Sequence, residues 1–224
     1  MEVVQQFEIL KSSLPANVKL IAVSKTQLPE KILQIYATGH KIFGENKVQE
    51  LINKHDILPD DIEWHMIGHL QSNKVKFIVP FISLIHSVDS VKLLETIDKE
   101  AEKYNRRIDC LIQVKIASED TKYGMGISEL KDLLNSNQYA QLKFIRLVGL
   151  MGMATFTNDN DAIRNEFKLC KSIFEEIKSI YFKNNTEFCE ISMGMSDDYK
   201  IALDEGSTMI RIGSLIFGKR TYVS

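Results

Sequence analysis

The sequence predicts an α/β protein folded as a (β/α)8 TIM barrel. Short apolar runs, typical of buried parallel strands, alternate along the whole chain with longer segments of helical spacing. This alternation indicates a parallel sheet, and eight strand–helix units are the number that closes a barrel. No linker of low complexity and no block of like charges interrupts it. We therefore expect one domain over residues 1–224, with an open doubly wound sheet as the alternative.

Eight segments are predicted to be strands because they are rich in β-branched and other apolar residues. In chain order they are residues 19–25, 41–45, 63–68, 84–88, 108–116, 147–154, 187–194 and 209–218. The turn after the first strand lacks the glycine-rich pattern of a dinucleotide site, which counts against a nucleotide-binding open sheet.

Helical spacing predicts six helices between these strands and one extra helix before the first strand. The six are residues 29–38, 46–57, 90–104, 128–135, 161–182 and 197–205, and the extra helix is residues 4–11. Pro29 suits a first helical turn and Gly39 a helix end, while Ser90, Ser128 and Asp197 are predicted N-caps.

The composition is that of a globular protein with a full apolar core. Of 224 residues, 44% are hydrophobic and 26% charged, and the net charge of −2 gives no indication of a nucleic-acid partner. Three cysteines, Cys110, Cys170 and Cys189, show no paired spacing, which favours a reducing compartment. Neither a signal peptide nor an apolar run of about 20 residues is present, so we expect a cytoplasmic protein without a membrane partner.

Lys25 is the main candidate for chemistry, because it ends an apolar strand that a barrel would bury. A lysine amine in a desolvated pocket loses part of its charge and becomes a nucleophile toward aldehydes. Barrel closure would place the first strand beside the last, which carries Arg211. Alone, Lys25 is more simply a surface lysine with a buried stem, and Arg211 an ion-pair partner at the rim.

An anion site is predicted at the same mouth. Gly213 lets the backbone approach an anion, Ser214 adds an amide and a hydroxyl, and the loop 192–196 supplies further small residues. (β/α)8 barrels recurrently bind phosphate after their last two strands. A lysine, an arginine and a phosphate cradle together fit pyridoxal 5′-phosphate. The alternative is a barrel that binds a phosphate or sugar phosphate without this cofactor.

Other candidates are weaker. His65 and His69 have the i, i+4 spacing of metal ligands, but a strand and Gly68 separate them and no third ligand is evident, so we expect no metal site. Lys122 lies in a loop after the fifth strand and is most simply a solvated lysine. The methionines 151, 153, 193 and 195 are expected to line the barrel.

Successive motifs resemble one known family. They are AVSKT (22–26), FGEN (43–46), VQE (48–50), WHMIGHLQSNK (64–74), GLM (149–151), SMGMS (192–196), RIGS (211–214) and IFG (216–218). In this order, over residues 19–218, they resemble the pyridoxal phosphate homeostasis proteins, whose fold is the N-terminal barrel of alanine racemase. The resemblance implies pyridoxal 5′-phosphate, a form of vitamin B6, as the cofactor.

The resemblance also implies residue roles. Lys25 would form the Schiff base (internal aldimine) and Arg211 would face the pyridine nitrogen. The phosphate would be held by Ser196, Gly213 and Ser214. The other implied cofactor-binding residues are Asn46, Ile67, Ser192 and Met193.

Two functions follow from such a site. An arginine beside the ring nitrogen disfavours its protonation, and a racemase needs a second base, which alanine racemase takes from a tyrosine of a further domain. The sequence ends at Ser224, soon after the last motif, so we expect no such domain. We therefore predict a non-enzymatic, monomeric protein that holds the cofactor in PLP homeostasis and delivers it to apoenzymes. An amino-acid racemase of weak or specialised activity is the alternative.

Overall fold

The computed structural model describes residues 2–117 and 124–218. Its strands are β1 (Lys19–Val23), β2 (Ile42–Glu45), β3 (Glu63–Met66), β4 (Leu84–Val88), β5 (Ile108–Gln113), β6 (Ile145–Met151), β7 (Glu190–Ser192) and β8 (Met209–Ile212). They form a closed barrel in chain order, all neighbours are parallel, and β8 pairs with β1. The predicted barrel is confirmed, and the open sheet is excluded.

Helices follow the strands as a (β/α)8 fold requires. They are α1 (Glu2–Ser12), α2 (Pro29–Tyr36), α3 (Val48–His55), α4 (Val75–Ile78), α5 (Val91–Glu102), α6 (Ile127–Asn135), α7 (Asn137–Gln141), α8 (Asn160–Tyr181), α9 (Tyr199–Asp204) and α10 (Ser214–Phe217). The extra helix α1 is present and packs against α2 and α10. None of the helices in the described ranges is both long and apolar enough to cross a membrane.

The last predicted strand was too long. β8 ends at Ile212, and the apolar run that continues to Gly218 is the short helix α10. The N–H groups of Ile216 and Phe217 donate to the carbonyl of Gly213 at 3.0 and 2.9 Å, so the backbone turns there. Both side chains are buried, which explains why the run looked like strand.

Of the predicted N-caps, one is confirmed. The Ser90 hydroxyl accepts the N–H of Leu93 at 3.4 Å. Ser128 and Asp197 were wrong, because α6 begins one residue before Ser128 and α9 begins after Asp198. Sequence spacing predicts that a helix is present, but it locates the first residue only to within one or two positions.

Strand side chains alternate between two apolar layers. The inner layer is small and consists of Ile21, Leu84, Leu111, Val148, Met151 and Met209. The outer layer, between strands and helices, is much larger and includes Phe7, Phe43, Trp64, Phe167 and Phe188. Most of the buried apolar surface therefore lies outside the barrel, and polar groups within it must satisfy one another.

The N-terminal end of the barrel is occupied by ion pairs. Lys19 Nζ lies 2.5 Å from Glu190 Oε1. The Arg146 guanidinium donates to both oxygens of Asp109, at 2.6 and 2.8 Å, and also contacts Glu187. Such paired charges at this end of a (β/α)8 barrel serve stability rather than chemistry.

Strands β6 and β7 leave no room for a side chain at Gly149. Its φ is +157°, and a Cβ built there would lie 1.8 Å from the carbonyl oxygen of Glu190. Any side chain would force the two strands apart, so this position requires glycine.

Candidate cofactor site

A cavity of about 210 Å³ opens at the C-terminal ends of the strands, where barrels of this class carry their functional sites. Seven residues predicted from the sequence line it, namely Lys25, Asn46, Ile67, Ser196, Arg211, Gly213 and Ser214. The other lining residues are Val23, Gln27, Met153, Phe156, Met195, Asp197 and Gly218. The closed barrel thus gathers residues from opposite ends of the chain at one mouth.

Lys25 reaches the cavity from the turn that follows β1, because the strand ends at Val23, two residues earlier than predicted. The Gln27 N–H donates to the Ser24 carbonyl at 3.0 Å and closes this turn, while Ile21 belongs to the inner layer and Val23 lines the cavity. Ile21 also pairs in register with Arg211, so the ends of β1 and β8 lie side by side. The pairing of β1 with β8 therefore brings Lys25 and Arg211 to the same mouth of the barrel, as predicted.

The peptide preceding Lys25 is held by a buried ion pair. Lys54 Nζ, from α3, lies 2.7 Å from Glu45 Oε1 and donates to the carbonyl oxygen of Ser24 at 2.6 Å. The Ser24 hydroxyl donates to the same Glu45 oxygen at 2.6 Å. Because these groups are buried, their hydrogen bonds fix the backbone at Ser24.

The peptide following Lys25 is fixed from the same helix. The Thr26 N–H donates to Glu50 Oε1 at 2.5 Å, and Lys54 Nζ lies 2.7 Å from that oxygen. Thr26 has φ +64°, in the left-handed region that residues other than glycine seldom adopt. Lys25 therefore lies in a short, strained segment. The Lys54 ammonium binds the Ser24 carbonyl before it directly, and it binds the Thr26 N–H after it through Glu50.

The Glu45 carboxylate is the group in this arrangement whose burial is electrostatically unfavourable. Its side chain is fully buried, and its second oxygen, Oε2, has no hydrogen-bond partner. Burial raises the pKa of the Glu45 carboxyl, whereas Lys54 and the Ser24 hydroxyl offset part of that rise.

Arg211 reaches the cavity from the barrel interior. It is only 4% exposed, and its Nη1 donates to Ser192 Oγ at 2.5 Å while Nη2 donates to the Gly152 carbonyl at 3.1 Å. Burial lowers the pKa of the Arg211 guanidinium to about 10, and Asp198 acts against the decrease. The group is therefore still a cation at neutral pH.

Behind Arg211 two histidines continue the hydrogen bonding. His86 Nδ1 lies 2.9 Å from Ser192 Oγ, and His86 Nε2 lies 3.0 Å from His65 Nδ1. Both rings are buried. Burial lowers the pKa of His65 to about 3 and that of His86 well below its ordinary value, so both are neutral at pH 7.

The predicted phosphate cradle lies where β7 and β8 end. The Gly213 N–H donates to Ser196 Oγ at 3.4 Å, which brings the two loops together. Asp198 Oδ1 accepts the N–H of Met195 at 2.5 Å and so shapes the first loop. Ser214 completes this small-residue surface of the cavity.

The residues present fit pyridoxal 5′-phosphate, the cofactor that the resemblance implies. Lys25 supplies an amine and Arg211 a fixed cation. A Cβ built at Gly213 would lie 3.3 Å from the carbonyl oxygen of Val23, so a side chain there would crowd the end of β1. Asn46 Oδ1 is buried at the cavity without a hydrogen-bond partner, and such an acceptor suits a donor on a bound molecule.

Two predicted residues do not line the cavity. Ser192 faces the barrel interior and binds Arg211 instead, and Met193 faces the outer apolar layer because consecutive strand residues alternate. His65 and His69 are also separated, since His65 contacts His86 and His69 Nδ1 lies 3.0 Å from Asp89 Oδ2. Lys122 lies outside the described residues.

Sequence reasoning missed the groups that support the site. Glu45 and Lys54 stand nine positions apart, and only the β2–α3 packing brings them together. A histidine within the apolar run 84–88 indicates a buried polar group, and this is the sequence signal for His86. Phe156 was also missed; it lines the cavity although it is 87% exposed.

Comparison with known proteins gives one consistent family. The family model described as "Alanine racemase, N-terminal domain" matches residues 2–221. A pyridoxal phosphate homeostasis protein of Aquifex aeolicus is 40% identical over 205 residues, covering 91% of this chain and 88% of the relative. One from Pasteurella multocida is 38% identical over 208 residues, covering 92% and 88%.

Solved structures agree. PipY of Synechococcus elongatus, with PLP bound, is 36% identical, has a TM-score of 0.87, and covers 96% of this chain and 100% of that one. Alanine racemase from Bartonella henselae is 16% identical with a TM-score of 0.70, covering 98% of this chain and 60% of that one. The second similarity shows the fold alone.

Proposed function

We propose that this chain, which belongs to the family of pyridoxal phosphate homeostasis proteins, holds pyridoxal 5′-phosphate through Lys25 and takes part in the balance of that cofactor. The observation that carries the proposal is the convergence of Lys25, Arg211 and the Gly213–Ser214 turn on one cavity. PipY, with PLP bound, has the same fold at 36% identity, which supports the same ligand here.

Each side chain has a defined task in this proposal. The cofactor, when bound, supplies an aldehyde that a lysine amine can attack. Lys25 provides that amine on a segment fixed from both sides, and Arg211 provides a donor for the ring nitrogen. The phosphate is held by Ser196, Gly213 and Ser214, where small residues permit close approach.

Holding the cofactor is favoured over catalysis by the groups that surround Lys25. Among the lining residues that the structure describes, none is a tyrosine or a histidine that could serve as a second base opposite Lys25. Arg211 keeps a positive charge beside the position proposed for the ring nitrogen, and this opposes protonation of that nitrogen. We therefore propose a carrier that passes the cofactor to apoenzymes, rather than a racemase.

The lysine assignment is tested by trapping. Borohydride reduction of the protein loaded with pyridoxal phosphate is expected to fix the cofactor to the peptide that contains Lys25, as located by mass spectrometry. Lys25→Ala should lose the adduct and the visible absorption while it stays folded. Lys47→Ala, at an exposed lysine near the site, is the matched control and should keep both. An undiminished adduct in Lys25→Ala would overturn the assignment.

Carrier and racemase are separated by a second pair of measurements on the loaded protein. We expect transfer of the cofactor to a PLP-dependent apoenzyme, such as an aminotransferase freed of its cofactor, at a rate above spontaneous release. We expect no exchange of the alanine α-proton with solvent at an ordinary enzymatic rate. Rapid racemisation of alanine would overturn the carrier function and favour the racemase.

A further inference from the structure

A line of polar side chains crosses the interior of the barrel. It runs from Arg211 at the cavity through Ser192 and His86 to His65. His65 also lines the depression at the N-terminal end, beside Lys19 and Glu63. Burying so many polar groups in one layer is unfavourable unless each is hydrogen-bonded, so the line requires an explanation.

The chemistry of the donors and acceptors favours one direction for the hydrogen bonds of this line, from Arg211 toward His65. Arg211 can only donate, so Ser192 Oγ accepts from it. The single proton of the Ser192 hydroxyl then goes to His86 Nδ1, which must be bare. His86 is neutral, so its proton is on Nε2 and is donated to His65 Nδ1. His65, also neutral, therefore carries its proton on Nε2.

The opposite direction fails at Ser192. If His65 donated to His86 and His86 donated to Ser192 Oγ, that oxygen would accept from both His86 and Arg211. Its own proton would then have no acceptor among the contacts of the described residues. A buried hydroxyl without an acceptor is unfavourable, so the direction away from Arg211 is preferred.

We propose that Ser192, His86 and His65 form a directional hydrogen-bond relay that holds the Arg211 guanidinium in one orientation toward the ring nitrogen of the cofactor. The two histidines are positioning residues, since neither lines the cofactor cavity. Their effect on the cofactor depends on the proposed function, whereas their tautomers do not. Two hydrogen bonds, to Ser192 and to the Gly152 carbonyl, define the plane of the guanidinium.

The tautomers are tested first, without any ligand. Long-range ¹H–¹⁵N spectra of the protein with labelled histidine distinguish a protonated from a bare ring nitrogen, and His86→Gln and His65→Gln assign the two rings. We expect both rings to be neutral with the proton on Nε2 at pH 7. A proton on Nδ1 of either ring, or a charged ring, would overturn the relay.

The positioning role is tested by discrimination at the ring nitrogen. The probes are pyridoxal phosphate and its benzene analogue, in which C–H replaces the ring nitrogen. His86→Leu breaks the relay, and we expect its preference for pyridoxal phosphate over the analogue to fall roughly tenfold, as for a lost hydrogen bond to a charged group. His86→Gln retains one acceptor and one donor on its amide, and it should preserve the preference.

Each outcome decides a separate point. An equal loss of affinity for both probes in His86→Leu would mean a structural role only and would overturn the positioning role. If His86→Leu does not fold, a reduced preference in Ser192→Ala is the expected result, and an unchanged one overturns the role. Failure of the unmodified protein to bind pyridoxal phosphate would overturn the proposed function together with the positioning role, while the tautomers would still decide the relay.

Discussion

The two sides of the cavity are supported by opposite means. The Lys25 wall is Lys25 with the charged groups behind it, which are Glu45, Glu50 and Lys54. The Arg211 wall is Arg211 with the neutral groups behind it, which are Ser192, His86 and His65. On one wall an ion pair fixes the backbone of a lysine, whereas on the other neutral groups fix the side chain of an arginine.

In the proposed function, this difference follows from what each wall has to hold. A lysine that must react needs a mobile side chain on a rigid backbone, so the buried charges contact the peptides around Lys25. An arginine that must keep one orientation needs contacts on the guanidinium itself. Neutral partners serve there, because they orient the Arg211 cation without adding a charge to the cavity.

The largest effect is expected at Lys54. Lys54→Met leaves the buried Glu45 carboxylate without its ion-pair partner, and breaking such a pair lowers the free energy of unfolding by about 3–5 kcal/mol. Urea unfolding of the protein without cofactor measures the loss. Removing both partners, in Glu45→Leu with Lys54→Met, should recover most of it. A single variant as stable as the unmodified protein would show that the Lys25 wall does not depend on the ion pair.

A smaller effect is expected from acid, and it acts on the Arg211 wall. The folded pKa of His65 is lowered to about 3 and that of His86 is also lowered, whereas unfolded histidines titrate near 6.5. The unfolded state therefore binds more protons below about pH 6.5, and the free energy of unfolding falls as the pH decreases. Each histidine contributes up to about 1.4 kcal/mol per pH unit.

Denaturation curves between about pH 5 and 7 check this prediction. His40, whose pKa burial lowers to about 4, adds to the same slope, so His86→Gln is the informative comparison and should reduce the slope by one proton. Glu45 acts in the opposite sense, because its pKa is raised and acid relieves its burial. A stability that does not change over this range would contradict neutral, buried histidines.

The smallest effect is expected at Lys41, which isolates the role of burial. Lys41 Nζ lies 2.5 Å from Asp61 Oδ2, as close as the pair at Lys54, but the two side chains are 46% and 50% exposed. Water and salt screen such a pair. Lys41→Met should leave the urea midpoint unchanged within error. A loss comparable to that of Lys54→Met would mean that proximity, rather than burial, sets the strength of these pairs.

Much of the fold was predictable because it depends on local patterns. The run 84–88 gave a strand with both ends correct, and 108–116 gave β5 with an end that was too late. The short helices α4, α7 and α10 were not predicted, since four or five residues hardly show a helical period. Helix α9 begins at Tyr199, two residues after the predicted start, and its N-cap position is Asp198, whose side chain accepts the Met195 N–H and does not cap the helix.

The site was predictable to the extent that barrel closure is. Once β1 and β8 are neighbours, Lys25 and Arg211 lie at the same mouth of the barrel, and a strand pattern is enough to predict this. The supporting groups were not predictable in this way. Lys54 lies on a helix whose rotation the sequence does not fix, and the partner of His86 depends on the register across the barrel. Tertiary packing decides both.

Gly149 shows that a family motif can record geometry instead of chemistry. It belongs to the GLM motif that helps to identify the family, yet it lies where β6 and β7 nearly touch, and the cavity lining does not include it. A protein that lost Lys25 and Arg211 would still need this glycine for β6 and β7 to pair. A search that scores shared motifs would still place such a protein in the family. Only the residues that line the cavity would show that the proposed cofactor-binding groups are missing.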